Sequence, residues 1–549
     1  MSEPPPLLRA PPFPWTQAAR EATSPAPDHE PDKTDDLFEA IRAARVGGTF
    51  WAKPCDIDEP VERVLRPRTE PELADLQATY GTNNTLSVAG GDRDPWSVLP
   101  QAKQLVAHGD DEWIALATII GIPVQVLSPG TFGAPSDDEA ALKGKAQAEL
   151  ARPMPDPFSN RWLAPHEAIA LLAEWRRVID GNRGTGGQTI VAACGMSWWK
   201  RDEIRRFLWV PDTRLRITQT GRTALAHARR HGGAVAVWPS RISPALIARA
   251  QAMGVDLVRV EDGFVRSAGL GSNLVPPASV VVDRQGIHFD PSTPSDLETI
   301  LATTDFSLAL LERASKLREN IVAAGISKYS RSNGVRTKPS ESPKRARRVV
   351  LVPGQVEDDM SVLAGGGGMT SNLELLKRTR ALEPEAEIWW RPHPDVDAGH
   401  RNGIVSDKDA LHYADRIVRE GSMADLLDEV DALHVLTSLS GFEALLRGRE
   451  VTCHGTPFFA GWGLTRDLGA VPTRRGRQLT LDELVAGVLL LYPRYLDPVT
   501  GLPCPPEVLI RRMTEGTMPN RQGWVEPIRR LQGRIVSRFR PRRAKSARP

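Results

Sequence analysis

The sequence predicts an α/β fold made of two halves, each with a parallel sheet flanked by helices. Short β-rich runs alternate with amphipathic helical segments over residues 189–263. The same alternation resumes over residues 348–455, and a basic stretch without apolar periodicity separates the two regions. Strands that alternate with helices form parallel sheets, and ligands bind at the carboxyl ends of such strands. We therefore expect a cleft between the two halves, with the chemistry at its rim.

Length and composition narrow the class of protein. At 549 residues, the chain is too long for a single core. Its net charge of +2 predicts no nucleic-acid partner, and its four widely spaced cysteines predict neither a zinc site nor a disulfide framework. No apolar run approaches the roughly 20 residues of a membrane span, and the proline-rich start does not resemble a signal peptide. We expect a cytoplasmic protein that is at most peripheral on a membrane surface.

Composition shifts along the chain divide it into six segments. The low-complexity stretches are expected to be flexible because they lack apolar residues to bury. The segments are a disordered Pro-rich N-terminus (1–48), a partial α/β module (49–183), the first half (184–326), a basic flexible linker (327–347), the second half (348–510) and a basic tail (511–549).

The first candidate motif is "VRVEDGFVRS", a strand that runs into two acidic residues and a glycine. Glu261 and Asp262 are neighbours, so their side chains point in different directions and only one of them needs to face the cleft. A carboxylate there suits a general base that acts on a sugar hydroxyl. Arg266 and Ser267 are candidates to bind an acidic substrate. The alternative is an acidic turn without function.

The second motif is "RPHPD", which follows the apolar run "AEIWW". Pro392 and Pro394 restrict the backbone around His393, so the imidazole is held with little entropy left to lose. Next to Arg391, such a ring could donate to a phosphate, and Asp395 could orient it. We therefore assign Arg391 and Pro394 to donor binding, and His393 to catalysis because it could stabilise charge on a leaving phosphate. A structural histidine in a turn remains the alternative.

The third motif is "TSLSGFEALL", in which hydroxyl residues precede a predicted helix. Free N–H groups and the helix dipole favour an anion at such a place. Ser438, Ser440, Gly441 and Glu443 are therefore candidates for donor binding. The alternative is a capping box between Ser440 and Glu443, which would be purely structural.

The fourth motif is "PGQVEDDMSV", a strand followed by an acidic loop. Its spacing does not match an EF-hand, so a metal is not predicted. We expect Gln355, Glu357 and Asp358 to bind sugar hydroxyls. A solvated acidic loop is the alternative.

These motifs, in this order, resemble those of the capsule-linker Kdo transferases. The likeness rests on "VRVEDGFVRSAGLGSNLVPPASVVVDRQGIHFDPSTPSDLE", "QVEDDMSV", "RPHPD" and "SLSGFEALLRGREVTCHGTPFFAGWGLT", and it covers residues 190–510. It implies a GT-B-type fold with two Rossmann-like halves. It also implies a retaining β-Kdo transferase that uses CMP-Kdo and a lipid-linked Kdo acceptor in capsular polysaccharide biosynthesis.

The resemblance also implies roles for individual residues. Asp262 becomes the leading catalytic carboxylate, with Glu261 beside it, and His393 contacts the phosphate of CMP. Ser438 and Ser440 cradle that phosphate or the ribose. The segment "GMSWWKR" places Lys200 near the cleft. No metal is needed if these groups neutralise the phosphate, so no cofactor is expected.

Members of this family typically carry two modules, but this sequence carries one complete module. Residues 50–183 resemble the second half of a first module, and residues 105–133 echo the serine motif without its serines. We expect that part to be inactive and to serve as a scaffold or an acceptor platform. A non-catalytic capsule assembly or export factor that binds the glycolipid is the alternative for the whole chain.

The C-terminal tail is basic and has one apolar helical face. Residues 528–549 contain nine Arg or Lys and no acidic residue. Such a helix is typical of binding to an anionic membrane, here the inner face of the bacterial inner membrane. A disordered polycationic tail is the alternative, and other capsule assembly proteins are possible partners.

Overall fold

The computed structural model describes residues 5–15, 34–184, 187–266, 276–327 and 347–516. The chain forms two compact units. The first comprises residues 1–189, 208–215 and 500–505, and the second comprises the rest. The predicted linker and the basic tail lie largely outside the described residues, and the amphipathic stretch 528–549 lies wholly outside them.

The first unit contains a small parallel sheet. The strands of this unit are Arg63–Leu65 (β1), Thr85–Ser87 (β2), Leu105–Ala107 (β3), Val124–Val126 (β4), Met154–Pro155 (β5), Trp162–Leu163 (β6) and Pro503–Cys504. Its α-helices are Thr34–Ala44 (α1), Glu70–Tyr80 (α2), Pro95–Val98 (α3), Trp113–Ile120 (α4), Glu139–Leu150 (α5) and Pro165–Arg183 (α6). The sheet has the order β2-β1-β3-β4, and all its pairs are parallel.

Helix α4 forms the centre of this unit because almost every one of its side chains is apolar. In "WIALATII", all residues but the last are buried, as expected for a helix that is hydrophobic all round. Gly121 ends the helix with a φ of 91°, in the left-handed region that favours glycine. The helix packs on β3 and β4 and fixes the loops that follow these strands.

The expectation of disorder over residues 1–48 is wrong where this segment is described. Leu7 and Phe13 are buried, and helix α1 buries Phe38 and Ile41. The apolar side chains that are spaced between the prolines pack into the first unit, and this burial offsets the entropy cost of ordering the chain. The prediction rested on the overall composition of the segment, which does not reveal these few buried apolar residues.

The second unit holds two sheets. Its strands are Ile190–Cys194 (β7), Arg216–Ile217 (β8), Ala234–Val237 (β9), Leu257–Asp262 (β10), Ser279–Asp283 (β11), Val349–Pro353 (β12), Glu387–Arg391 (β13), Arg416–Ile417 (β14), Ala432–Val435 (β15), Glu450–Cys453 (β16), Arg466–Asp467 (β17) and Pro493–Leu496 (β18). Its α-helices are Arg201–Phe207 (α7), Gly221–Arg230 (α8), Pro244–Ala252 (α9), Asp296–Thr303 (α10), Leu308–Ala323 (α11), Met360–Gly365 (α12), Asn372–Leu382 (α13), Pro394–Asp397 (α14), Asp407–Ala410 (α15), Met423–Glu429 (α16), Ser440–Leu445 (α17), Leu481–Val485 (α18) and Pro506–Glu515 (α19).

The first of these sheets is mixed, not parallel as the sequence predicted. Its strands within this unit run in the order β18-β11-β10-β9-β7-β8. Strands β7 to β10 pair in parallel, but β11 pairs antiparallel with β10 and with β18. Residues 493–496 therefore complete the sheet of the first half, although we predicted them within the second half. Pairing between strands so far apart in sequence leaves no local signal.

The second sheet is parallel throughout, as predicted, with the order β14-β13-β12-β15-β16-β17. Its central strands β12, β13 and β15 consist mostly of buried apolar side chains, which is typical of strands covered on both faces. The order β13-β12-β15-β16 repeats the order β2-β1-β3-β4 of the first unit. The first unit thus has the topology of the second half of a module.

An aromatic cluster and an ion-pair network join the two halves within the second unit. Phe264, which follows β10, lies 4.6 Å from the ring of Phe458 in the second half. The buried carboxylate of Glu298 on α10 accepts hydrogen bonds from Arg474 and Arg475 at 2.7 and 2.6 Å. Glu298 and Arg475 are buried, so this charge-assisted pairing is shielded from water and links the two halves.

A pair of buried histidines lies between β15 and the end of β16. Nδ1 of His434 is 3.0 Å from Nε2 of His454, so one ring donates and the other accepts. Burial is the main cause that lowers the pKa of each ring to about 4. Glu383 lies 3.5 Å from His434, but burial and the neighbouring Arg466 and Arg348 outweigh it. Both rings are therefore neutral at pH 7.

We expect this pair to make the fold sensitive to mild acid. The unfolded rings titrate near pH 6.5, so this stability is complete above that pH and is lost as pH falls towards 4. A shift of this size corresponds to roughly 3 kcal/mol for one ring. Urea unfolding at pH 7 and pH 5 measures the loss, which His454→Gln should reduce. The exposed His412→Gln serves as the control, and an equal pH dependence in both variants would contradict the prediction.

Among the residues that the structure describes, no helix is long and apolar enough to cross a membrane.

Candidate active site

Asp262 ends β10 and forms the centre of the first sheet edge. Its Oδ1 accepts a hydrogen bond from Nζ of Lys200 at 2.9 Å, and its Oδ2 accepts one from Nε of Arg266 at 2.7 Å. The side chain is 18% exposed, whereas those of Lys200 and Arg266 are 8% and 0% exposed. Two cations thus fix the orientation of the carboxylate, which remains partly exposed.

Lys200 comes from the short 3₁₀ turn Trp198–Lys200 after β7. Its ammonium group lies 3.5 Å from the ring centre of Trp238, which follows β9, in a cation–π contact. Burial lowers the pKa of Lys200, and the adjacent Asp262 carboxylate opposes that shift. Residues after β7, β9 and β10 therefore meet at one edge, and the prediction that Lys200 lies near the cleft agrees with this position.

Position 263, at this edge of the sheet, has room only for glycine. A Cβ on Gly263 would lie 2.2 Å from Oγ of Ser279, closer than atoms can approach. The backbone N–H of Gly263 donates to the carbonyl of Ser279 across β10 and β11. The glycine lets the chain turn tightly and leaves the carboxylate of Asp262 at the end of the strand.

The neighbours of Asp262 have different roles from those predicted. Glu261 accepts a hydrogen bond from the N–H of Asp262 at 3.1 Å, and its negative charge works to raise the pKa of Lys200. Arg266 was expected to bind an acidic substrate, but its side chain is fully buried and paired with Asp262. It therefore positions the carboxylate. Ser267 lies outside the described residues.

His393 lies at the carboxyl end of β13 and caps helix α14. Its Nδ1 accepts a hydrogen bond from the backbone N–H of Asp395 at 3.2 Å. In the neutral ring, the proton is then on Nε2, which can act as a donor. Asp395 was expected to orient the ring, and it does so through its backbone. Pro394 is the first helical residue, where its missing N–H costs nothing.

Arg391 is engaged by backbone carbonyls in this structure. Its guanidinium donates to the carbonyls of Val418, Glu420 and Gly421 at 2.7 to 3.2 Å. These bonds use most of its donors, so Arg391 supports the loop after β14. An arginine with backbone carbonyl partners cannot be told from a ligand-binding arginine by sequence.

The serine motif follows β15, and it does not form the capping box that was the structural alternative. Helix α17 begins at Ser440, and Leu439 occupies the N-cap position without a side-chain bond. The hydroxyls of Ser438 and Ser440 lie 2.7 Å apart and are hydrogen-bonded to each other. Gly441 must lack a side chain, because a Cβ would lie 2.6 Å from the ring of Phe459. Glu443 is buried one turn later.

Most of the polar side chains in the loop after β12 form hydrogen bonds within the fold. The Gln355 amide donates to Oγ1 of Thr437 and accepts from its N–H, both at 2.9 Å. Asn372 accepts from the N–H of Gln355 and donates to its carbonyl, and Glu357 accepts from the N–H of Asn372. Gln355 and Glu357 therefore build the loop, contrary to their predicted role in sugar binding. Asp358 is exposed and accepts from Asn402 at 3.0 Å.

The structure brings the carboxyl edges of the two sheets of the second unit together. Strands β13, β12 and β15 are neighbours, so the loops of His393, Gln355 and Ser438 lie at the same carboxyl edge. Phe264, two residues after Asp262, packs near Phe442, two residues after Ser440, with 6.4 Å between ring centres. The acidic edge and the serine edge thus meet at one aromatic cluster.

Two residues that support the site were not predicted from the sequence. Trp238 holds Lys200, and Asn372 organises the loop of Gln355. Trp238 follows a predicted strand, so its place at the carboxyl edge could have drawn attention to it. Asn372 sits near the start of a helix with no signal of its own. Among the described residues, no three His, Cys, Asp or Glu side chains form a group that could hold a metal ion. The expectation of metal-free transfer stays a prediction.

The fold and this edge define a GT-B-like α/β protein with a paired carboxylate at its cleft. Residues 233–495 match the family described as "Capsule polysaccharide biosynthesis protein". The chain is 39% identical over 350 residues to the lipopolysaccharide-processing protein LpsZ of Rhizobium meliloti, covering 62% of this chain and 77% of LpsZ. The chain therefore belongs to the capsule polysaccharide biosynthesis family, which confirms the predicted resemblance.

Two further comparisons show how much of each relative this chain covers. The capsule polysaccharide modification protein LipA of Neisseria meningitidis serogroup A is 41% identical over 334 residues, or 61% of this chain. The chain spans only 46% of the length of LipA. The solved β Kdo 2,4 transferase of Thermosulfurimonas dismutans KpsC is 32% identical with a TM-score of 0.51, covering 59% of this chain and 98% of that one.

Proposed function

We propose that this protein transfers Kdo from CMP-Kdo to a lipid-linked Kdo acceptor during assembly of the capsule linker. The observation that carries the proposal is the Asp262 carboxylate held between Lys200 and Arg266 at the carboxyl edge of the first sheet. The likeness to a solved Kdo transferase over nearly all of that chain supports the sugar. The protein would work at the inner face of the inner membrane.

On the acceptor side, Asp262 acts on the reacting centre. Each oxygen accepts one hydrogen bond from a cation, and the side chain is partly exposed, so a substrate can reach it. The carboxylate can accept a proton from the acceptor hydroxyl, or it can attack the anomeric carbon in a double displacement. Either route is consistent with retention. Lys200 and Arg266 keep the charge in place before the substrate arrives, so little reorganisation is needed.

On the donor side, His393 and the serine motif receive the phosphate of CMP. His393 caps α14 through Nδ1 and would donate to that phosphate through Nε2. The Ser438 and Ser440 pair shares one hydrogen bond, so one hydroxyl proton remains to be donated. As the sugar leaves, charge builds on that phosphate, and fixed donors stabilise it.

The proposal predicts turnover by the purified chain. Incubation with CMP-Kdo and a Kdo-bearing glycolipid should release one CMP for each Kdo added, because one module carries both edges. Mass spectrometry of the lipid and quantification of CMP measure the two products. A single type of linkage is expected, since residues 50–183 lack the serine and His-Pro motifs.

The second candidate is a capsule assembly or export factor that binds the glycolipid without changing it. Two predicted ligand-binding residues, Gln355 and Arg391, are engaged inside the fold, and this favours it. It predicts glycolipid binding with no release of CMP and no mass increase. That outcome, with folded protein and an acceptor that another Kdo transferase can extend, would refute the proposed transfer.

A further inference from the structure

The first unit contains a hydrogen-bonded Ser–His–Glu chain that the proposed transfer does not use. Oγ of Ser128 is 2.8 Å from Nδ1 of His108, and Nε2 of His108 is 2.5 Å from Oε1 of Glu72. The side chain of His108 is 12% exposed and that of Glu72 is 25% exposed. A nucleophile, a base and an acid that orients the base are the parts of a serine-type catalytic site.

The proton positions in this chain follow from chemistry. The ionised Glu72 can only accept, so His108 in its neutral form carries its proton on Nε2. Nδ1 then has a free lone pair, and the hydroxyl of Ser128 donates to it. Burial works to raise the pKa of Glu72, but hydrogen bonds from the Arg68 N–H and from His108 outweigh it, and the pKa is lowered. The imidazole therefore faces the serine as a base.

These residues lie where α/β proteins bind ligands. His108 directly follows β3, Ser128 comes two residues after β4, and Glu72 lies in the first turn of α2, which follows β1. The carboxyl edge of a parallel sheet is the usual site for ligands in this fold class. In the equivalent strand order of the second unit, Thr437 and the serine motif follow the strand that corresponds to β3.

Two glycines hold the loops of Ser128 and His108 against each other. A Cβ on Gly109 would lie 2.5 Å from the Ser128 carbonyl, and one on Gly130 would lie 2.2 Å from the Asp110 nitrogen. The N–H of Gly109 donates to the Ser128 carbonyl at 2.9 Å. Only residues without a side chain allow this approach, so the contact between serine and histidine is built into the backbone.

We propose that Ser128 is an activated nucleophile that gives the first unit an esterase-type activity on small acyl esters. Oγ of Ser128 bonds to the carbonyl carbon, and its proton passes to Nδ1 of His108. The ester C–O bond breaks, and the leaving alcohol takes that proton. Water then attacks the acyl-serine by the same route, which releases the carboxylic acid and restores Ser128. Glu72 is a positioning residue for His108.

The test uses the full chain and a fluorophosphonate probe, with labelled peptides mapped by mass spectrometry. A general base accelerates such chemistry by about 10²- to 10⁴-fold, so Ser128 should react at least about 100-fold faster than Ser97. Ser97 is a matched control in the same unit, because it is also half-buried but donates to the backbone carbonyl of Asp94. Ser128→Ala should abolish the fast label, and His108→Gln should slow it to the rate of Ser97.

Further variants separate this chemistry from a structural tie between loops. Histidine-selective ¹⁵N spectra should show the Nε2–H tautomer of His108, and Glu72→Gln should change that signature and slow labelling. Asp262→Asn should leave the labelling of Ser128 unchanged. Loss of Kdo transfer and loss of the Ser128 reaction can then be told apart. If Ser128 reacts no faster than Ser97 in the folded wild-type protein, the chain of three residues is only a structural tie and the proposal is overturned. That comparison holds even if His108→Gln does not fold.

Discussion

Asp262→Asn is expected to lower Kdo transfer by at least about 100-fold, the scale of losing a catalytic acid or base. The change keeps the size of the side chain and removes its charge. The amide can neither take a proton nor attack the anomeric carbon, so both routes at this site fail. Single-turnover transfer from CMP-Kdo, followed by mass detection of the glycolipid, measures the effect.

This substitution also leaves the buried Arg266 and Lys200 without their counter-ion. Breaking such a pair typically costs about 3–5 kcal/mol, so the thermal midpoint should fall. CMP binding by calorimetry should survive, because the donor residues lie on the other sheet, and it shows that the variant is folded. Glu261→Gln is the matched control and should keep most of the activity. Near-normal transfer by folded Asp262→Asn would contradict the assignment.

His393→Ser is expected to weaken CMP binding by at least about tenfold. A hydrogen bond to a charged phosphate contributes about 1.5–3 kcal/mol, and each 1.4 kcal/mol corresponds to a factor of ten. Serine is a good N-cap residue, so the variant keeps a capping side chain for α14 while it removes the Nε2 donor. Calorimetric titration with CMP measures the change directly.

His400→Ala is the matched control for this variant because His400 is exposed and lies close by in the chain. Its CMP affinity should equal that of the wild type. Unchanged CMP affinity in His393→Ser would show that His393 only caps its helix, and the serine motif would remain as the candidate phosphate site. A loss in both variants would point to a general disturbance of the loop.

Several features of the site could be read from the sequence because they are local. Alternating strand and helix patterns fix where the parallel strands β12, β13 and β15 end, and the predicted residues follow those ends. The proline-flanked His393 and the acidic pair before Gly263 are likewise short signals with direct backbone causes. Membership of the capsule family followed from the order of these motifs.

Other roles could not be read because they depend on partners far away in the chain. Gln355 is bonded to Thr437, Arg391 to three carbonyls after β14, and Arg266 to Asp262. Each carries a side chain that is well suited to a ligand, and each uses it inside the fold. A sequence shows which groups a residue offers, but not which of them are already engaged.

The sequence by itself therefore determined the α/β class, the family and the positions of the two motif-bearing edges. Only the tertiary structure decided that Asp262 lies between Lys200 and Arg266. It also decided that residues 493–496 return to the first sheet and that Ser128 meets His108 and Glu72. The physical reason is the same in each case. Periodicity and turn chemistry act within a few residues, whereas strand pairing, ion pairs and proton relays join groups that only folding brings within hydrogen-bonding distance.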